Sequence, residues 1–430
     1  MPPRRKFPQC RKIPPRMLHG CADLRLAVVS PFVDRRHGTE RALAELLERL
    51  AHTYHCEIHL YANRVEDLSV NNSGGVLPPG TGGIFWHKVP SVPGPHVLQF
   101  LCWFLLNSVC RRWDRWVHGV CCDLVLSPGI NCLDADVVLV HALFHRLREL
   151  ARAEGLASTA PGLLRRLHRR SYYALLTAFE RRIYADPKVS LAAVSQRTAG
   201  LLEKYFGRQD VRVIPNGVDT AQFSPSRRLA LRPEARLRRK IQESDFVLLL
   251  IGNDWQVKGL ETVLRAMNAL RKLPIRLIAA GEDSPDTFRE RAELLGISDH
   301  CRFEPAREDA LDFYAAADLY VSPSREDSFG LPVAEAMACG LPVITSVNAG
   351  VANIIRDGMD GFVLCQVDDF QGLAQMLQRL HADEVLRGNV GDAAAKTARE
   401  WTWDRNAAAT WEQLEDAAGR KLRDRAVTTT

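Results

Sequence analysis

The stretch "DLYVSPSREDSFGLPVAEAMACGLPVITS", Asp318 to Ser346, reads as strand, turn, helix and strand in succession. Its two ends, "DLYVSPS" and "LPVITS", are short, nearly continuous apolar runs of the kind that form strands buried on both faces. Between them a Ser-Phe-Gly turn leads into small and apolar residues that suit a packed helix. Pro332 stands where the first helical turn begins, so Phe329, Gly330 and Leu331 offer unpaired backbone amides to an anion. Two acids bracket those amides: Asp327 comes before them and Glu335 about one turn after. A phosphate held between two carboxylates carries hydroxyl-bearing groups on each side, which points to a sugar nucleotide. The plainer reading makes Asp327 a cap and Glu335 a solvated helix residue. Against it, Glu335 is flanked by "VA" and "AMACG", and an acid in a packed helix needs a partner there.

The same alternation runs through the chain. "LRLAVVS" precedes the helical "TERALAELLERLA", and "CEIHLYA", "GIFWHKV", "DLVLSPG", "DVVLVHA" and "VSLAAVS" follow. After the turn-rich Pro215-Asn216-Gly217 the pattern restarts with "FVLLLIGN", "IRLIAAG", "HCRFEP", "DLYVSPS", "LPVITS" and "GFVL". The expected fold class is therefore α/β, with two Rossmann-like, doubly wound parallel sheets at 23–217 and 218–395 facing across a cleft. A chain of 430 residues is long enough for two such cores. A helix within 396–430 is expected to pack back across both. Ligands of open α/β sheets bind beyond the carboxyl ends of the strands.

The formal charge of +6 suggests nucleic acid at first sight. However, Arg4, Arg5, Lys6, Arg11, Lys12 and Arg16 stand in an acid-free opening of 22 residues and supply the whole excess. That opening reads as a disordered, Pro-rich basic tail at 1–22, leaving a neutral body and no nucleic-acid partner. It lacks the apolar core of a signal peptide. Eleven scattered cysteines without a C-x-x-C pair suit a reducing, cytoplasmic setting. "VLQFLCWFLL", Val97 to Leu106, is about half of the ~20 apolar residues that a spanning helix needs. The Trp- and Arg-bearing "NSVCRRWDRWVHG" follows it. A buried helix with a basic end is favoured, because the apolar part is continuous; an interfacial helix on an anionic membrane is the other reading.

"PSREDSFGLPVAEAMACGLPVITS" resembles the signature of the family 4 retaining glycosyltransferases, which adopt the GT-B fold of two facing Rossmann-like domains. The likeness runs from Leu24 to about Trp403 and is strongest from Ile241 to Val363. It implies that Asp327 bonds donor-sugar hydroxyls, Glu335 holds the nucleotide ribose, and Phe329, Gly330 and Leu331 give amides to the diphosphate. The family has Glu at the first position. Here it is Asp, with Glu326 one residue out of register. In "LLLIGNDWQVKGLETVL", Lys258 opens a helix where it can pair with diphosphate, and Asn253 stands where the family has Arg. Arg307 either supplies charge nearby or is a surface residue paired with Glu308 or Asp309. The family's nucleobase pocket lies around Phe303 to Arg307.

In "SPFVDRRHGTERALAELL", Gly38 resembles the family's N-terminal glycine loop, which lets the backbone approach diphosphate or acceptor. His141 ends a first-domain strand, where the family has a histidine near the donor sugar or acceptor; His145 is the weaker candidate. "DAD" at Asp134 to Asp136 matches the Asp-x-Asp metal motif of another glycosyltransferase fold, and it reads here as a loop. GT-B enzymes bind diphosphate with basic residues and helix dipoles, so no metal or other cofactor is expected. The resemblance implies retaining hexosyl transfer from a UDP- or GDP-linked sugar to a glycan or lipid-linked acceptor, in cell-surface polysaccharide or lipopolysaccharide synthesis at the inner face of the cell membrane. A sugar-nucleotide epimerase of the same fold and a sugar-nucleotide-binding protein without transfer activity are the alternatives.

Overall fold

The computed structural model describes residues 24–71, 82–155, 163–307 and 309–428. The basic tail expected at 1–22, and Glu308, lie outside the described residues. The chain divides into two compact units. One comprises Met1–Val194, Thr198–Ile214 and Asp404–Thr430; the other comprises Ser195–Arg197 and Pro215–Trp403. The divisions at 214 and 403 differ from the 217 and 395 expected. The reason is local packing: Val218 donates its amide to Trp401 at 2.7 Å, and Gly217 lies against the Thr402–Trp403 backbone. Both stretches therefore belong to the second unit.

The first unit holds β1 (Arg25–Val29), β2 (Phe32–Val33), β3 (Glu57–Ala62), β4 (Arg64–Val65), β5 (Gly83–Lys88), β6 (Leu124–Pro128), β7 (Val137–Val140), β8 (Ser190–Ala193) and β9 (Arg212–Val213). Seven of these form one parallel sheet in the order β5-β3-β1-β6-β7-β8-β9, while β2 and β4 pair apart. Alternate residues of β1 enter different cores, Leu26 and Val28 on one face and Ala27 and Val29 on the other. Burial on both sides beyond Arg25 is the physical reason that the rest of the run "RLAVV" lacks a polar alternation. Helix Trp403–Thr428 adds Ala407, Trp411, Leu414 and Ala417 to the Leu26 core, and Trp411 stacks on Tyr54 at 4.9 Å.

The second unit holds β10 (Phe246–Ile251), β11 (Ile275–Gly281), β12 (Cys301–Pro305), β13 (Leu319–Ser322), β14 (Val343–Ser346) and β15 (Phe362–Leu364). They form a parallel sheet in the order β12-β11-β10-β13-β14-β15. Here Phe246, Leu248 and Leu250 face one core, and Val247 and Leu249 the other. The chain winds outward from β10 to β12 and then returns to start again at β13. The order therefore reverses between β10 and β13, the place where open α/β sheets leave a crevice. The equivalent reversal in the first sheet lies between β1 and β6.

The favoured reading of Val97–Leu106 needs correction. These residues belong to a helix, His96–Val117, whose inner side buries Trp103, Asn107 and Asp114. Its outer side leaves Leu98 and Leu105 exposed, so the helix is one-sided and not wholly buried. A continuous apolar run on a helix faces all directions at 3.6 residues per turn, and only the side with neighbours is covered.

Candidate active site

Two loops of the second unit meet where its strand order reverses. The loop after β10 runs from Gly252 to Gly259 into helix Leu260–Ala269, and the loop after β13 runs from Pro323 to Gly330 into helix Leu331–Ala338. The Arg325 amide donates to the Val257 carbonyl at 2.7 Å and ties them together. Lys258 Nζ then reaches Asp327 Oδ2 at 2.5 Å, and only 16% and 14% of the two side chains is exposed. Gly252 leaves room for the lysine: a Cβ there would lie 3.0 Å from Lys258 Cε.

Asp327 is held from its backbone as well. Its amide donates to the Asn348 carbonyl at 3.1 Å, and its carbonyl accepts from the Gly350 amide at 2.8 Å. Gly330 caps helix Leu331–Ala338 with φ of +97°, a left-handed conformation that a side chain would resist. A Cβ on it would also meet Val351 Cγ1 at 3.2 Å and lie 3.8 Å from Asp327 Oδ2. The carboxylate and the open helix end are thus neighbours. Among the described residues, the amides of Phe329, Gly330 and Leu331 have no acceptor. These amides, the helix dipole behind them and the Lys258 ammonium make an anion site with a carboxylate on its flank.

Glu335 lies deeper on the same helix, 3% exposed, and its Oε2 accepts from the Tyr314 hydroxyl at 2.8 Å. Burial, with the carboxylate beside it, holds the Tyr314 hydroxyl well above the usual phenol range, so it stays a donor. Tyr314 is the partner that a buried acid requires, and the sequence reading missed it. Its only sequence signal is an aromatic residue inside the apolar run "LDFYAA". The reading also missed the three-residue excursion Ser195–Arg197 into the second unit. There Ser195 Oγ donates to the Ser328 carbonyl at 2.7 Å, and Arg197 pairs with Glu326 at 2.9 Å. The out-of-register acid Glu326 therefore has a structural partner of its own.

Two expected residues are not brought to the Lys258–Asp327 pair. Asn253 bridges to the end of β11: its Oδ1 accepts from the Glu282 amide at 3.0 Å, and its Nδ2 donates to Glu282 Oε2 at 3.3 Å. Arg307 follows the edge strand β12 and pairs with Glu304 at 3.3 Å and Asp312 at 3.8 Å; of the two acids expected as its partners, Glu308 lies outside the described residues. Glu304 and Asp312 account for its position.

In the first unit Gly38 opens helix Gly38–His52, and His141 directly follows β7. Both stand at the carboxyl edge of one parallel sheet, after strands that β6 separates. Asp34 organises the glycine loop by accepting from the Arg36 and His37 amides and from His37 Nδ1 at 3.0 Å. Burial alone would raise the Asp34 pKa. The hydrogen bonds from His37 and the Arg36 amide outweigh it and hold the carboxyl below its ordinary range. His145 is committed elsewhere: its Nδ1 lies 2.6 Å from Glu180, which also accepts the Phe144 and His145 amides. In "DAD", Asp134 pairs with Arg111 at 2.7 Å, and Asp136 with Lys421 and the Val125 amide, as loop-fixing acids do.

Two doubly wound parallel sheets, the second with an anion-directed helix start at its switch point, define the GT-B class of α/β fold. The structure superposes on WaaG, a glycosyltransferase involved in lipopolysaccharide biosynthesis, with a TM-score of 0.70 at 21% identity, over 90% of this chain and 98% of that one. It superposes on Anabaena Alr3699/HepE in complex with UDP-glucose with a TM-score of 0.64 at 16% identity, over 91% and 100%. Residues 232–397 match the family model Glycosyl transferases group 1, and residues 36–222 match Glycosyltransferase Family 4. The D-inositol 3-phosphate glycosyltransferase of Thermomonospora curvata is 32% identical over 369 residues, 80% of this chain and 77% of that protein. The chain belongs to the group 1 glycosyltransferases. It spans about half the length of the first curated relatives that it matches. Among the described residues, no helix is long and apolar enough to cross a membrane.

Proposed function

We propose that this chain transfers a hexosyl group from a nucleoside diphosphate sugar to a hydroxyl of a glycan or lipid-linked acceptor, with retention of anomeric configuration. One observation carries the reading: the Lys258–Asp327 pair stands beside the open amides of Phe329 to Leu331, at the switch point of a parallel sheet. Those amides and Lys258 bind the diphosphate and stabilise the negative charge that builds on it as the glycosidic bond breaks. Asp327 takes a sugar hydroxyl on one side. Glu335, oriented by Tyr314, faces the ribose on the other. The acceptor hydroxyl attacks from the face that the diphosphate leaves, and the departing phosphate takes its proton. No metal is needed in this scheme, because the ammonium and the amides carry the anion.

The solved Anabaena neighbour in complex with UDP-glucose supports a nucleotide-sugar donor of that kind. The named relatives support an acceptor rich in hydroxyls, as an inositol phosphate is. A panel of UDP- and GDP-linked sugars, incubated with inositol phosphates and with lipid-linked saccharides, tests the reading by mass spectrometry of the products. An acceptor heavier by one hexosyl group, in the same anomeric form as the donor, is the expected product. An inverted product overturns the retention. Tight donor binding with no transfer to any acceptor overturns the activity.

A further inference from the structure

Helix His96–Val117 takes no part in the site above, and its outer side carries a continuous apolar stripe. Leu98, Leu105, Val109, Trp113 and Trp116 are between 47% and 65% exposed. Their steps of seven, four, four and three residues place all five on one side of the helix. Trp113 and Trp116 meet edge to face, with ring centroids 5.8 Å apart. Arg112 and Arg115 are exposed alongside them. The only acid of the helix, Asp114, turns inward to His87 at 2.7 Å and to His118 at 3.0 Å. The outer side therefore combines indoles, aliphatic chains and guanidiniums with no carboxylate of its own.

The helix cannot roll to hide this stripe. On the inner side Asn107 is fully buried, and its amide donates to the Trp103 and Asn131 carbonyls at 2.9 and 3.2 Å. Phe100 and Phe104 contact Phe179 of the neighbouring helix Leu163–Tyr184. On that neighbour the one acid, Glu180, is buried under His145, so it brings no carboxylate to the surface. An apolar stripe with cationic flanks matches the boundary of a bilayer: indole rings settle at headgroup depth, aliphatic chains enter the acyl region, and guanidiniums meet lipid phosphates. A protein partner for the same face would need acidic side chains around an apolar centre. A lipid surface offers both components everywhere.

We propose that the outer face of helix His96–Val117 docks the chain onto an anionic phospholipid bilayer, with the helix lying in the plane of the interface. Sedimentation with vesicles reads this without turnover, so its failure leaves the transfer reading untouched, and the reverse also holds. Full-length protein is expected to sediment with phosphatidylcholine vesicles doped with phosphatidylglycerol, and to stay in solution with phosphatidylcholine alone. The double variant R112Q/R115Q should lower partitioning about thirtyfold, since each surface cation contributes about five- to sixfold. W113S/W116S should lower it by roughly tenfold or more. As these positions are already in solvent, both variants should keep the parent's urea midpoint; L105E/V109E is an independent check at the other end of the stripe. Equal sedimentation of all four proteins, or no binding by the parent, overturns the proposal. A concentration-dependent dimer in solution that W113S/W116S abolishes also overturns it, by assigning the face to a second copy.

Discussion

Replacing Lys258 by Met keeps most of the stem that runs past Gly252 and removes the charge. Two losses follow, and they can be separated. The first is structural. Asp327 keeps its place, 14% exposed, without the ammonium at 2.5 Å. Exposed ion pairs contribute about 0.2–1 kcal/mol, and breaking a fully buried one costs about 3–5 kcal/mol; this pair lies between, at about 1–3 kcal/mol. The second loss is catalytic. A charge-assisted hydrogen bond to the departing diphosphate is worth about 1.5–3 kcal/mol, which is about 10- to 150-fold in kcat/KM. Urea unfolding measures the first, and initial rates of nucleoside diphosphate release measure the second. The double variant K258M/D327N distinguishes them, because it removes both charges together. Stability should largely return, since no unpaired ion is left in the pocket, while kcat/KM should stay low. A double variant that recovers turnover along with stability would show that Lys258 only neutralises Asp327. So would K258M with kcat/KM within about twofold of the parent. Either result refutes the diphosphate grip.

Gly330→Ala should cost about 1–2 kcal/mol for the left-handed backbone, read as a lower urea midpoint, with weaker donor binding by calorimetry; an unchanged midpoint would mean that the turn relaxes freely. Glu335→Ala should weaken donor binding by about 1.5–3 kcal/mol, and Tyr314→Phe should raise the donor KM and lower stability by about 1–3 kcal/mol. Donor affinity equal to the parent's in both variants would remove the ribose assignment. In the first unit, burial holds the His87 pKa below its ordinary value, and the nearby His59, 2.9 Å away, opposes a second positive charge. A base whose folded-state pKa is depressed adds stability that is complete above the unfolded value of about 6.5 and is lost as the pH falls through the folded one. The urea midpoint should therefore decline as the pH falls below about 7, and His87→Gln should flatten that decline. An identical slope in the variant would place the acid sensitivity elsewhere.

What could be read from the sequence was what neighbours in the chain determine. The Gly330–Pro332 spacing specified an open helix start, and the runs "FVLLLI" and "RLAVV" specified strands buried on both faces; each depends on a few adjacent residues. Partnerships across the chain were not legible. Glu335 was expected to need a partner, but nothing local indicates Tyr314, 21 residues away. Arg197 and Glu326 are 129 residues apart, and only the completed fold brings them together. The Val97–Leu106 run failed for a related reason. Its hydrophobicity was plain, but which side of a helix finds neighbours depends on the sheet and helices around it, and those were not in the run.

The core around Leu26 is completed by Trp411 and Leu414. During synthesis this makes the earlier unit the later one to finish. Once Trp403 has left the ribosome, the second sheet has every residue of its unit, including Ser195 to Arg197 made long before. The strands beginning at Arg25 must still wait, with apolar surface uncovered, for a helix that starts at Trp403. A chain truncated before Trp411 and released should therefore carry a folded second unit and a chaperone-dependent first one.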